Sequence, residues 1–198
     1  MKTSAIRMLR ASLALAAACI VLAAAPASAA NITASATLTS APNGSNFDYT
    51  ITLNNSSTSD ASIGTFWYAW VPGKDFLATS PTAIVSPTGW TALVTHVPNV
   101  PTNGFAIQWT TGAAVSPNNV AIGGSKVFKF TSADTPAQIA GESIFYAGTP
   151  VGLSVVYPGA PFSDAGHNLV AQSVPEPSSA ALGALGLISA LGLAARRR

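Results

Sequence analysis

The sequence predicts an all-β protein: one antiparallel β-sandwich of the immunoglobulin-like or jelly-roll-like kind, between an N-terminal signal helix and a C-terminal transmembrane helix. Three observations predict the sandwich. Short segments of alternating apolar and polar side chains recur along residues 30–173, clusters of Pro, Gly, Asn and Ser separate them, and no stretch keeps the 3.6-residue period of an amphipathic helix. About nine or ten strands at this spacing are typical of two packed antiparallel sheets.

The strands are predicted in the following order. The first covers residues 32–39, and a turn at residues 41–45 leads into a second, cleanly alternating strand at residues 47–53. Residues 54–59 form a polar loop. The remaining predicted strands are residues 63–71, 90–96, 105–110, 120–122, 126–131, 143–147, 153–157 and 169–173. Trp90 and Trp109 lie in two of these strands and are predicted to be core residues.

Residues 66–70, Phe-Trp-Tyr-Ala-Trp, are the part of the domain most open to a binding function. On a regular strand Phe66, Tyr68 and Trp70 share one face and Trp67 lies on the other. Rings on both faces are typical of a central strand, and core packing is the preferred interpretation. A carbohydrate-binding module, whose exposed rings stack on sugars, is the alternative. Its candidate ligand platform is Trp67, Tyr68 and Trp70.

Catalysis is not predicted. Ser163, Asp164 and His167 supply the residue types of a hydrolase triad. Three residues within five positions of one loop seldom form the spatial relay that a triad needs, and the sequence has no Gly-x-Ser-x-Gly element. We therefore expect that the protein is not an enzyme and needs no cofactor, with a hydrolase as the less favoured alternative.

Charge and metal-ligand composition exclude other classes of function. Residues 30–173 carry three lysines against five aspartates and one glutamate, a formal charge of −3, because all five arginines lie in the terminal segments. Without a basic patch, nucleic-acid binding is not expected. Asp60, Asp75, Asp134 and Asp164 could ligate calcium, but they are scattered and no Asp-x-Asp loop gathers them. No metal is expected, and structural calcium stays an open alternative.

The N-terminus predicts a secretory signal peptide over residues 1–29. Basic residues precede an apolar run at 11–25, and Ala27 and Ala29 supply the small side chains that signal peptidase accepts. Cys19 suggests a lipoprotein signal, but the apolar run continues past it, so this interpretation is not favoured. The only cysteine of the chain therefore leaves with the signal peptide, and the exported domain has no disulfide.

The C-terminus predicts a membrane segment. Residues 178–195 are apolar and uncharged, and a helix of this length measures about 27 Å, close to the ~30 Å of a bilayer core. The run ends in a basic cluster that stops transfer on the cytoplasmic side: Arg196, Arg197 and Arg198. It is preceded by a short motif: Val174, Pro175, Glu176 and Pro177. A helix buried against the domain is the alternative.

This arrangement resembles the PEP-CTERM sorting signal of exported bacterial proteins. The resemblance rests on the Pro-Glu-Pro triplet, the apolar helix and the terminal arginines of residues 174–198, together with the export signal at 1–29. It implies nothing about the fold of the β domain at 30–173. It implies that signal peptidase and exosortase process the chain. It also implies an inner-membrane intermediate, held by the C-terminal helix, and final delivery to the cell surface or the medium. We expect an exported, non-catalytic surface or extracellular-matrix protein associated with exopolysaccharide or biofilm.

Overall fold

The computed structural model describes residues 30–96, 103–159 and 166–174. Their elements, in chain order, are β1 (Ala34–Asn43), β2 (Asn46–Asn55), β3 (Thr65–Tyr68), β4 (Trp70–Val71), β5 (Lys74–Asp75), β6 (Thr82–Val85), β7 (Thr91–Thr95), β8 (Ala106–Thr110), β9 (Ser125–Ser132), α1 (Pro136–Ala140), β10 (Leu153–Tyr157) and β11 (His167–Ser173). The prediction of a mainly β domain without long helices is confirmed in this part of the chain.

Nine of the strands form one sheet in the order β6-β9-β2-β1-β11-β10-β3-β8-β7, and β4 and β5 form a separate hairpin. Within the sheet β1 and β11 run parallel, and the other pairs are antiparallel. The parallel pair differs from the expected all-antiparallel arrangement. Hydrogen bonding therefore continues through β11 from one half of the sheet to the other.

The sheet is nearly closed, because aromatic side chains of its two halves meet in the core. Phe128 of β9 is fully buried, and its ring lies 5.4 Å from Phe66 of β3 and 5.1 Å from Trp109 of β8. Trp90 also contacts Phe128, edge to face at 5.1 Å. The core positions predicted for Trp90 and Trp109 are confirmed, with exposed fractions of 5% and 0%.

The β1–β2 hairpin is explained by the alternation of apolar and polar side chains along β2 and by a glycine in the turn. Tyr49, Ile51 and Leu53 of β2 are fully buried, as their spacing predicts. The strands run further than expected, because residues 41 and 42 pair with residues 48 and 47. Only Gly44 and Ser45 connect Asn43 to its partner Asn46. Gly44 adopts φ +62°, which glycine accepts without a Cβ clash.

Several strand predictions need correction. Residues 143–147 form no strand, and residues 120–122 contribute only a bridge between Val120 and Ile63. The segment 63–71 divides at Ala69 into β3 and β4. The short helix α1 was not expected. It begins at a capping box in which Thr135 and Gln138 bond each other's main chain, with Pro136 in the first turn.

Helix α1, with five residues, is the longest helix in the described segments, and none there is long and apolar enough to cross a membrane. The predicted signal helix at residues 1–29 and the predicted transmembrane helix at 178–195 lie outside the described residues.

Candidate functional site

Trp67 and Trp70 stack on one another on the face of β3 that points away from the core. Their ring centroids are 4.1 Å apart and the ring planes differ by 22°. The cause is Ala69, which adopts φ +56° between β3 and β4. A left-handed residue interrupts the alternation of a strand, so side chains three positions apart come to the same side. Both tryptophans are partly exposed.

The main chain of Ala69 is held on both sides. Its N–H donates to the Ser154 hydroxyl at 3.3 Å, and its carbonyl accepts from the Phe76 N–H at 2.9 Å. The residue itself is fully buried. Neighbouring structure therefore imposes the unusual conformation, a pattern that is enriched at binding and catalytic sites.

Tyr68 does not belong to the platform, and the prediction that included it is corrected. Its side chain is fully buried, with its ring 5.4 Å from that of Phe130. Burial raises the pKa of Tyr68 well above its usual value, and the nearby Tyr49 and Asp134 raise it further. The prediction that Trp70 shares a face with Phe66 and Tyr68 is wrong, because Ala69 breaks the two-residue period.

Polar side chains lie beside the stacked rings. Gln108 of β8 lies directly opposite Trp67 in the sheet. The hydroxyls of Thr65 and Thr110, on the same face, are 3.0 Å apart, but Thr65 is fully buried. The Trp67 indole N–H is also buried and has no hydrogen-bond partner within the described segments. The exposed part of this surface combines the ring faces with the partly exposed side chains of Gln108 and Thr110, and apolar rings beside hydrogen-bonding groups are the combination that a sugar ring requires.

Of the three residues considered for a hydrolase triad, the structure describes only His167. Ser163 and Asp164 lie outside the described residues, and His167 begins β11 opposite Val156. The other histidine, His96, lies 2.6 Å through Nδ1 from the Gly104 carbonyl and stacks on Phe105 at 4.7 Å. His96 therefore has a packing role.

Two of the four aspartates considered as calcium ligands accept hydrogen bonds from main-chain or side-chain amides of the domain itself. Asp75 is fully buried and accepts from the Asn103 amide at 3.3 Å. Asp134 accepts from the Ala78 and Thr79 N–H groups at 3.0 and 3.2 Å. Asp60 is exposed and Asp164 is outside the described residues. Within the described ranges, no three His, Cys, Asp or Glu side chains form a metal cluster.

The end of β11 is fastened to β1 up to the edge of the C-terminal motif. Ser173 pairs with Leu38, and the Val174 N–H donates to the Leu38 carbonyl at 2.8 Å. The Val174 side chain is 46% exposed. Pro175, Glu176 and Pro177 follow at once, so no free tether separates the folded sheet from the triplet.

A cleft of about 380 Å³ opens beside this junction. It lies between the β1–β2 hairpin, α1 and the end of β11. Its lining is uncharged and mostly apolar: Leu38, Thr39, Ser40, Pro42, Phe47, Tyr49, Pro136, Ala140, Ser173 and Val174. The residue that opens the sorting motif, Val174, is thus also part of the cleft wall.

Comparison with protein families identifies the C-terminal segment. The PEP-CTERM protein-sorting motif matches residues 173–198. The predicted resemblance is confirmed, and the motif implies processing by exosortase and export to the cell envelope. No curated protein and no solved structure matches the chain.

The remaining predicted site residues stay predictions. They lie outside the described ranges: the signal-peptidase residues Ala27 and Ala29, the triplet Pro175, Glu176 and Pro177, and the stop cluster Arg196, Arg197 and Arg198.

Proposed function

We propose that this protein is a non-catalytic component of the cell surface or extracellular matrix, sorted by exosortase and associated with exopolysaccharide. The signal peptide is removed at Ala29, and the helix at 178–195 holds an inner-membrane intermediate until exosortase acts. The exported part is a β-sandwich in which the two halves of the sheet pack face to face. The observation that carries the proposal is the PEP-CTERM motif at residues 173–198.

The junction described above supports this proposal. The motif begins where β11 ends, with the Val174 N–H still bonded to Leu38. Residues 30–198 contain no cysteine, and the domain is stabilised by its own aromatic core. It therefore needs no disulfide formation after export. Its formal charge of −3 suits a surface in contact with water and neutral polymer rather than with nucleic acid.

The test replaces Pro175, Glu176 and Pro177 together with alanine in the native host. We expect the unprocessed chain to accumulate in the membrane fraction and the surface or medium fraction to lose the domain. The matched control replaces Ser178 and Ser179 with alanine, just after the triplet, and should be processed normally. Unchanged processing and location of the triplet variant would contradict the proposal.

A second candidate function is carbohydrate binding through Trp67 and Trp70. The favouring observation is the stack of two partly exposed indoles beside Gln108, which is also partly exposed. An aromatic contact contributes about 0.5–1.5 kcal/mol beyond its buried area. Loss of one ring should therefore lower affinity by about two- to twelvefold, since 1.4 kcal/mol corresponds to a factor of ten.

This function is tested by affinity electrophoresis of the purified domain in the host's own matrix polysaccharide. Trp67→Ala and Trp70→Ala should reduce retardation. Val127→Ala is the matched control, because Val127 is 46% exposed on the outer side of β9, away from the tryptophans. Absence of retardation by the unmodified domain, or equal retardation of all four proteins, would rule the site out.

A further inference from the structure

We propose that, in the membrane-held precursor, the end of the sheet that carries the apolar cleft rests on the outer leaflet of the membrane, with the cleft facing the lipid. This rests on the proposed function in one respect: residues 178–195 must be inserted in the bilayer. It adds a partner for the cleft and an orientation for the domain, neither of which follows from the sorting motif alone.

The first argument is the length of chain between sheet and membrane. Val174 is hydrogen-bonded to β1, and the apolar run begins at Ser178. Four Cα-to-Cα steps reach at most about 14 Å, whatever conformation the three intervening residues adopt. The polar headgroup region is itself about 5–8 Å thick on each side of the hydrocarbon core. The junction therefore lies within or just above the headgroups.

The second argument is the direction of the strands. β1 and β11 are parallel, and both run toward the end of the hairpin that holds the cleft. β11 ends opposite Leu38, and β1 continues for five residues beyond it to the turn that starts β2. The loop after β2, which contains Ser57, lies at the other end of the hairpin. Ten residues of β1 separate the two ends by about 30 Å. The short connection brings only the cleft end near the lipid.

The third argument is the chemistry of the cleft. The side chains that line it include Pro42, Phe47, Pro136 and Val174, and none of its lining residues is charged. An uncharged, open, apolar concavity gains free energy when lipid tails or headgroup glycerol replace water against it. An aspartate or glutamate in the wall would oppose contact with an anionic lipid surface, and the wall has neither.

The experiment uses the exported precursor, residues 30–198, which contains no cysteine. A single cysteine is introduced at Ser40, which lines the cleft on the same face as Tyr49, or at Ser57 as the matched control at the far end, and is labelled with a polarity-sensitive fluorophore. The protein is reconstituted into phosphatidylethanolamine–phosphatidylglycerol vesicles with or without nitroxide-headgroup lipid. We expect the label at residue 40 to shift to the blue and to be quenched several-fold more strongly than the label at 57.

An inserted linker separates lipid contact from mere closeness. About ten Gly and Ser residues between Val174 and Pro175 add roughly 17 Å of flexible chain. If the cleft binds lipid, the preferential quenching at residue 40 persists in this variant and falls when Pro42→Asp is added. Loss of the preference on linker insertion would show that the tether alone orients the domain and would overturn the proposal, as would equal quenching at the two positions.

Other outcomes are equally informative. Protection of the residue 40 label that rises with protein density, without quenching by lipid, would assign the cleft to a second copy of the chain and overturn the proposal. Failure of the precursor to float with the vesicles would contradict the inserted helix, and with it the proposed function. No sorting enzyme is present in this assay, so the result does not depend on whether the motif is cut.

Discussion

Substitutions of Ala69 should rank in the opposite order from those at an ordinary strand residue, with glycine tolerated better than valine. In a strand, valine is favoured over alanine and glycine is disfavoured, over a range of about 1 kcal/mol. Ala69 instead has φ +56°, where an L-residue bears about 1–2 kcal/mol of strain that glycine does not. Ala69→Gly relieves this strain. It also removes a buried methyl group, about 0.8 kcal/mol, and adds about 0.5–1 kcal/mol of chain entropy to the unfolded state.

These terms nearly cancel, so Ala69→Gly should change the free energy of unfolding by less than about 1 kcal/mol. Ala69→Val places a β-branched side chain at positive φ and inserts two methyl groups into a fully buried site. Backbone strain and overpacking together should cost about 3 kcal/mol or more, or about 12 °C in Tm for a domain of this size.

Urea unfolding of the three proteins measures these differences, and circular dichroism of the coupled indole transitions reports the Trp67–Trp70 stack. We expect the stack signal to persist in Ala69→Gly and to fall in Ala69→Val. A valine variant as stable as the parent, or a glycine variant destabilised by more than about 2 kcal/mol, would refute the left-handed conformation and the stacking derived from it.

Two further predictions concern the core and the β1–β2 hairpin. Phe128→Ala should lower the free energy of unfolding, measured in urea, by about 3–5 kcal/mol, because it removes the ring that packs between the two halves of the sheet. The control Val127→Ala changes a half-exposed residue on the same strand and should cost less than about 1 kcal/mol. Equal losses would contradict the closed arrangement. The pKa of Asp48 is lowered mainly by the hydrogen bond from Thr131 and next by that from Asn43. The ionised Asp48 therefore stabilises the fold fully above the unfolded pKa of about 3.9, and this stabilisation is lost as pH falls through the lower folded pKa. Thr131→Val should raise the Asp48 pKa measured by NMR titration; an unchanged value would rule out that bond as the main cause.

The strands that were predicted correctly are those in which the local pattern of apolar residues matches the burial of the side chains in the folded sheet. Residues 153–157 form β10 with the predicted bounds, because the side chains of Val155 and Val156 are buried on opposite faces of the sheet. Residues 143–147 have similar apolar content, yet Ile144 is 73% exposed and only a bridge between Glu142 and Pro150 forms nearby. Whether a neighbouring strand is available to pair depends on the tertiary fold, and the local sequence pattern does not contain that information.

The candidate site was identified by its residues but not by its geometry. Trp67 and Trp70 belong to the platform that the sequence offered as the alternative to core packing, whereas their shared face depends on a positive φ at Ala69. Alanine is a residue for which the sequence gives no such signal, unlike glycine or asparagine. Ala83, at φ +45°, similarly interrupts β6, where the register with β9 shifts. Helix α1 did leave a signal in Thr135-Pro136 and Gln138, but five residues are too few to show a helical period.

The position of β11 in the sheet has a consequence for the order of folding during export. It is the middle strand of nine and joins the half that contains β1 to the half that contains β10. If the proposed signal peptide leads the chain out from its N-terminus, β11 is also the last of the nine strands to cross the membrane. The two halves would then be joined only when residues 167–173 have emerged, just ahead of the apolar run at 178–195. With that run held in the bilayer, as proposed, the joining strand would arrive at the membrane surface, and the fold would be completed where the sorting enzyme acts.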